Sequence, residues 1–235
     1  MADTTWNVLP HRAIEKLETN LWRVEGDLPG MPIKRVMTVA KRSDGRLVIH
    51  NAMALEEAAM REVEAFGEPA FLVVPNGWHR MDAPAFKARY PKITVLCPTG
   101  SKKKVEQVVA VDGDYDAYPQ DDDVRLEPLG GVGDAEGIMT VKSSSGTTLV
   151  LNDAIFNMPH VPGFQGFVFK HLTASSGGPK VSRIAKYFMV KDKAAFRSEL
   201  ERLAGTPGLV RAIVSHHETI TGDVAATLRG VAASL

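Results

Sequence analysis

The chain has a single cysteine, no excess of either charge and no long apolar run, and each absence removes a class of protein. Cys97 cannot close an intramolecular disulfide by itself. The fold must therefore be held by a packed core, and a reducing compartment, the cytoplasm, is the natural expectation. The thiol stands in the apolar context TVLCP, without the cationic neighbours that make a cysteine nucleophilic. Lys and Arg together number 28, as do Asp and Glu, so the formal net charge is zero. That argues against a broad nucleic-acid or anionic-membrane surface and leaves only local basic patches open. No run of about 18 apolar residues is present, so no spanning helix is expected. The opening MADTTWNVLPHRAIEKL lacks a basic region followed by an apolar one, so no secretory leader is expected. A small molecule is the expected partner, without nucleic acid or membrane, and the oligomeric state is left open.

What is present alternates between strand and helix patterns. Residues 1–19 read as a segment packed on the body, and 20–235 as one domain, a length at which a single core is routine. Short β-branched runs at 20–25, 36–40 and 47–50 open the domain as an antiparallel meander, with Asp44-Gly45 as a hairpin turn. Residues 55–66 carry a helical pattern, with Ala58, Ala59, Val63 and Phe66 on the apolar face and Gly67 past its end. The run Phe71–Val74 breaks at Pro75-Asn76-Gly77 and re-enters as a helix over 82–89, with Asp82 placed to cap it. Strands are expected at 93–96, 124–128, 138–141, 147–151 and 209–214, and helices at 184–190, 193–204 and 223–235. Residues 100–123 read as a solvated loop with one short helix. The glycine-rich 130–137 leads from strand to strand rather than into a helix, which is not how a phosphate-cradling loop is built. Residues 158–180 are rich in Gly, Pro and Phe and form either a lid or a packed loop.

Several strands end in polar residues: Val74 before Asn76 and His79, Leu151 before Asp153, Val214 before His216 and His217, and Ile49 before His50 and Asn51. Each alone has an ordinary explanation, a satisfied histidine or a capping aspartate. Together, His, Asp and His at consecutive strand ends are the ingredients of a metal site or of general acid–base chemistry.

The order of these elements, with the segments LVIHNAMALEEA, FLVVPNGWHRMDAPAF, GGVGDAEGIMTV, GTTLVLNDAIFN and LVRAIVSHHETI, resembles the metallo-β-lactamase superfamily. More narrowly it resembles its uncharacterised DUF4336 branch. The resemblance covers roughly residues 20–230 and implies an α/β (α+β in some schemes) four-layer αβ/βα sandwich. Active members of the superfamily carry His-x-His-x-Asp-His in the first loop; here Asn76-Gly77-Trp78-His79-Arg80-Met81-Asp82 stands there, with one histidine. The later His-x-x-Gly position is GVGDAEG, without histidine. The resemblance leaves His79, Asp153 and the last histidine as metal ligands and catalytic residues. Strand alternation favours His217 over His216. Asp82, His160 and Asn76 are reserve ligands, and Asn76, Trp78 and His50 would line the pocket.

Three ligands suffice for one divalent metal (zinc, iron or manganese), or the site is metal-free; they do not suffice for a dinuclear centre. Arg80, next to His79, would further disfavour a second cation. Two functions follow: a degenerate hydrolase of a small molecule with a mononuclear or metal-free site, or a non-catalytic binding module that kept the fold. A third, smaller possibility is acid–base chemistry by His79, Asp153 and His217 without metal. Trp22, Trp78 and the Phe164–Phe169 group are candidate walls of an apolar pocket.

Overall fold

The computed structural model describes residues 3–235. Its first half builds a six-stranded sheet in sequential order from β1 (Glu15–Glu18), β2 (Leu21–Leu28), β3 (Met31–Lys41), β4 (Arg46–His50), β5 (Glu68–Val73) and β6 (Thr94–Leu96). The first four strands pair antiparallel and the last two parallel. The switch falls where α1 (Glu57–Phe66) and α2 (Ala83–Arg89) supply the crossovers that parallel pairing requires.

The second half builds a four-stranded sheet in the order β12 (Leu209–Ile213), β9 (Gly146–Val150), β8 (Gly137–Ser143), β7 (Val124–Pro128). Helices α5 (Lys193–Ala204) and α6 (Val224–Ala233) cover it. Two short strands, β10 (Phe156–Met158) and β11 (Gly178–Lys180), pair beside it. Short helices α3 (Lys102–Val105) and α4 (Gly163–Phe167) lie in the connections.

Strand alternation sorts the side chains into three cores. In β4, Leu47 and Ile49 pack with α1 and α2 residues Met60, Val63 and Phe86, while Val48 joins the inter-sheet layer. In β9, Leu149 faces α5 and α6, while Val150 meets Val48, Phe71 and Val73 between the sheets. Three apolar layers separate four layers of secondary structure, helix–sheet–sheet–helix.

The expected helices lie within two residues of their positions, with differences of detail. Met60 takes the buried place on α1 expected for Ala58, which is exposed. Asp82 precedes α2 without capping it; its Oδ2 accepts instead from Arg35 and from the Ala54 amide at 2.6 and 3.0 Å. The 100–123 stretch is more than a loop, since Val105, Tyr115 and Tyr118 are buried in the cores. The N-terminal segment packs on the body through Trp6, which sits 4.9 Å from Phe86 and donates to the Leu55 carbonyl. Strand β1 belongs to the first sheet, so the boundary at 19/20 cuts through a hairpin. Gly131, at φ +82°, lets the glycine-rich loop reach α5; a Cβ there would lie 2.3 Å from the Phe196 amide nitrogen. The loop thus packs on a helix rather than cradling phosphate.

Candidate metal centre

The carboxyl ends of β4, β5, β9 and β12 lie at one edge of the sandwich and deliver Asn51, Asn76 and His79, Asp153, and His216. His79 Nε2 and His216 Nε2 stand 2.9 and 3.0 Å from the same oxygen, Asp153 Oδ1. One ligand atom from each of the three lies within 4.8 Å of the others, the one such cluster of three among the described residues.

The surrounding bonds decide which ring nitrogens carry protons. Asn51 spends its amide N–H on the Val36 carbonyl, so it presents its oxygen to His79 Nδ1, 3.0 Å away. His216 Nδ1 meets the Lys34 carbonyl at 2.8 Å. Both partners can only accept, so both Nδ1 atoms carry hydrogen, and in the neutral rings both Nε2 lone pairs point at the Asp153 carboxylate. Three electron-rich atoms facing one another need a cation between them, either a proton on an imidazole or a metal ion.

Asp153 is held from the other side. Asn76 donates to Asp153 Oδ2 at 2.8 Å and to Glu136 Oε1 at 2.7 Å. Its own oxygen accepts from the amides of Trp78 and His79, fixing the loop that carries the histidine. Glu136, fully buried, also accepts from Asn152 Nδ2 and from the amides of Asp153 and Ala154 at 2.9 to 3.0 Å. Burial, reinforced by the nearby Asp153 charge, pushes the Glu136 carboxyl up to about 8. Burial alone would raise Asp153 too, but His79 and His216 hold it well below the carboxylate range. Burial would likewise depress His216, but its bond to Asp153 raises it above the ordinary imidazole value.

His217 does not join this cluster. Strand β12 ends at Ile213, and His217 takes the left-handed conformation at φ +61°, so strand alternation no longer applies there. Its Nε2 accepts instead from the Lys34 amide at 3.2 Å, and burial lowers it to about 4. The convergent histidine is His216, held in place because residues 34–36 of β3 run along 215–217: Val36 N donates to the Ser215 carbonyl.

Of the reserve ligands, Asn76 is at the centre as a donor to Asp153, and the other two are elsewhere. Asp82 is spent on Arg35, and the exposed His160 is bonded to Ser176 Oγ. Arg80 turns away to the Lys104 carbonyl and Gln107, so it adds no barrier to a second cation. His50 lies fully buried, its Nε2 without a partner among the described residues, and burial with the charge of His79 lowers it to about 3. It is not part of the cavity wall.

A cavity of about 430 Å³ opens over the cluster. His79, Asp153 and His216 form its polar floor; Phe156, Phe169 and Met189 are among its apolar walls. Phe156 stacks on His216 at 5.1 Å. Trp78 stands at the lip, 57% exposed, whereas Trp22 is a core residue stacked on Phe66.

Sequence reasoning missed Glu136 and the Lys34 carbonyl, and placed Asn51 at a strand end without giving it a role. Glu136 had a faint signal, a lone acid where the glycine-rich loop enters a strand. Lys34 acts through its backbone carbonyl, which leaves no signature, and Asn51 acts through its side-chain oxygen, whose partner only the fold reveals.

No protein-family model and no curated protein matches the chain. Solved structures do. It is similar to the DIM-1 metallo-β-lactamase, in a crystal exposed to ceftazidime, with a TM-score of 0.63 at 13% identity over 97% of this chain and 99% of that one. A metallo-β-lactamase from Hirschia baltica aligns with a TM-score of 0.60 at 10% identity, over 95% and 98% of the two chains. VMB-1 gives 0.61 at 9%, over 97% and 99%. The chain has the metallo-β-lactamase fold.

Proposed function

We propose that this chain is a degenerate metallo-hydrolase, of the DUF4336 type within the superfamily, that acts in the cytoplasm on a small, largely apolar molecule. It holds at most one divalent cation, zinc, iron or manganese, between His79, Asp153 and His216. The observation that carries this reading is the donor set. Two imidazole Nε2 atoms with their protons held on Nδ1, and one carboxylate oxygen, converge on a single point. Two histidines and one carboxylate suit zinc and non-haem iron alike.

A dication bound there would supply Lewis acidity, lowering the pKa of water and polarising a substrate oxygen. The protein's own residues do the rest. Asn51 and the Lys34 carbonyl orient the two rings, and Asn76 pins Asp153 so that Oδ1 faces the cavity. The apolar walls hold substrate over this floor and keep bulk water out. Without metal, the bond to Asp153 holds the His216 imidazole above its ordinary value, which leaves an acid–base pair in place of a ligand set. Among the described residues no second set of donors stands beside the first to support a dinuclear centre, and lactam hydrolysis is not expected.

The test is turnover by chelator-stripped protein reconstituted with Zn²⁺, Fe²⁺ or Mn²⁺ on chromogenic esters and lactones of increasing acyl length. Metal-dependent turnover that falls at least about 100-fold in His216→Ala supports the reading. Metal binding without turnover on any of them would leave a binding module, and turnover indifferent to both metal and His216 would overturn the site.

A further inference from the structure

The segment 160–191 differs in charge from the rest of the chain. It carries five cations, Lys170, Lys180, Arg183, Lys186 and Lys191, and no Asp or Glu, within a protein of zero formal charge. None of the five pairs with a carboxylate among the described residues; those with partners bond to backbone carbonyls. The same segment exposes Phe164 (81%), Tyr187 and Phe188 (70% each), with Phe167, Leu172 and Ile184 half or more exposed.

Two helical pieces carry these residues, and each ends in a wide turn, closed by Thr173 N to Val168 O and Val190 N to Ala185 O bonds. Arg183 ties them together through the His171 and Leu172 carbonyls. Both pieces line the cavity over the metal centre, through Phe169 and Thr173 on one side and Ile184, Ala185 and Met189 on the other. The apolar rim continues across the mouth to Met31, Trp78 and Met81, all about half exposed.

We propose that this lobe docks on an anionic lipid surface, its aromatic and aliphatic side chains entering the interface and its cations facing the headgroups, with the apolar cavity opening toward the lipid. Basic residues interleaved with large exposed apolar ones are the composition that binds such surfaces. A second copy of the chain fits less well, because an isologous contact would set the five cations against the same five. Single-stranded nucleic acid would want aromatic platforms and a basic groove; here aliphatic Leu172, Ile184 and Met81 share the rim, and the cavity behind it is apolar. The zero net charge argued against a membrane partner, but the uneven distribution of that charge reverses the argument. This docking does not depend on the metal.

The experiment is co-sedimentation of the full chain with vesicles of phosphatidylcholine alone or mixed with phosphatidylglycerol, with tryptophan emission recorded in parallel. It is run on both chelator-treated and metal-loaded protein. The chain is expected to pellet with the anionic vesicles in both states, with a blue shift from Trp78. Lys170→Glu/Lys191→Glu should weaken binding at least about tenfold and remove its dependence on anionic lipid. Phe164→Ser/Phe188→Ser should weaken it about tenfold at either composition, with an unchanged melting midpoint. Wild-type protein that stays in the supernatant with both vesicles would overturn the proposal. So would binding that neither double variant alters, or exposed aromatics that instead mediate dimerisation or oligonucleotide binding.

Discussion

The floor of the cavity and its lid, the 160–191 lobe that lines it from the other side, are built on opposite principles. On the floor, Asn51, Asn76, Glu136, Asp153 and His216 are buried and bonded to one another or to fixed backbone groups. On the lid, large apolar side chains face solvent and the helical turns are wide. A buried polar network with most of its groups paired has few arrangements, because a departure strands further donors or acceptors. A surface of exposed Phe and Tyr has no such constraint and can change neighbours at small cost. The floor is therefore where geometry is set, and the lid is where adaptation to a ligand is possible.

If that contrast is right, substitutions in the floor should cost far more than those in the lid. The largest effect is expected at Glu136. Glu136→Ala removes the acceptor of four N–H groups, two of them backbone, and leaves them buried and unpaired. A loss of roughly 3–5 kcal/mol is expected in urea unfolding. A loss under about 1 kcal/mol would mean the network is not the keystone of the edge.

His50 gives the next effect, and it depends on pH. Its folded value, about 3, lies below the ordinary 6.5 because the ring is fully buried, with His79 adding repulsion. Unfolded chains take up a proton there below pH 6.5 while the folded protein does not, so stability falls as the pH drops from about 6.5 toward 3. Between these limits this one site should contribute about 1.4 kcal/mol per pH unit. The comparison is wild type against His50→Gln, which cancels the other titrating groups. Parallel stability–pH curves for the two proteins would contradict the burial.

The smallest effect belongs to the lid. Phe188→Ser should change unfolding free energy by no more than about 0.5 kcal/mol, because that ring is 70% exposed. A larger loss would show that the lid is packed in solution and would erase the contrast.

The sequence made both the floor and the lid only partly legible. Strand ends bearing His79, Asp153 and a terminal histidine could be picked out because apolar runs stop abruptly before polar residues. Choosing between His216 and His217 could not be done the same way. The choice depends on where β12 ends and on a left-handed residue after it, and neither follows from alternation. Asp82 looked like a helix cap because capping residues share its chemistry; only the fold shows Arg35 reaching it first. The helices were legible from periodicity, whereas β10 and β11, three residues each, are too short to leave a pattern. In the lid, the helix over 184–190 was legible, but the wide turns and short strands of 158–180 follow no simple period, so that stretch reads only as loop.

One cation held by His79, Asp153 and His216 is the centre of the proposed chemistry. The most direct test is metal titration of chelator-stripped protein, prepared without a histidine tag and followed by calorimetry and elemental analysis. Wild type should bind one equivalent of zinc, iron or manganese, His79→Ala and His216→Ala none, and His217→Ala one. Two tightly bound equivalents in wild type, none at all, or a loss in His217→Ala matching that in His216→Ala, would contradict it.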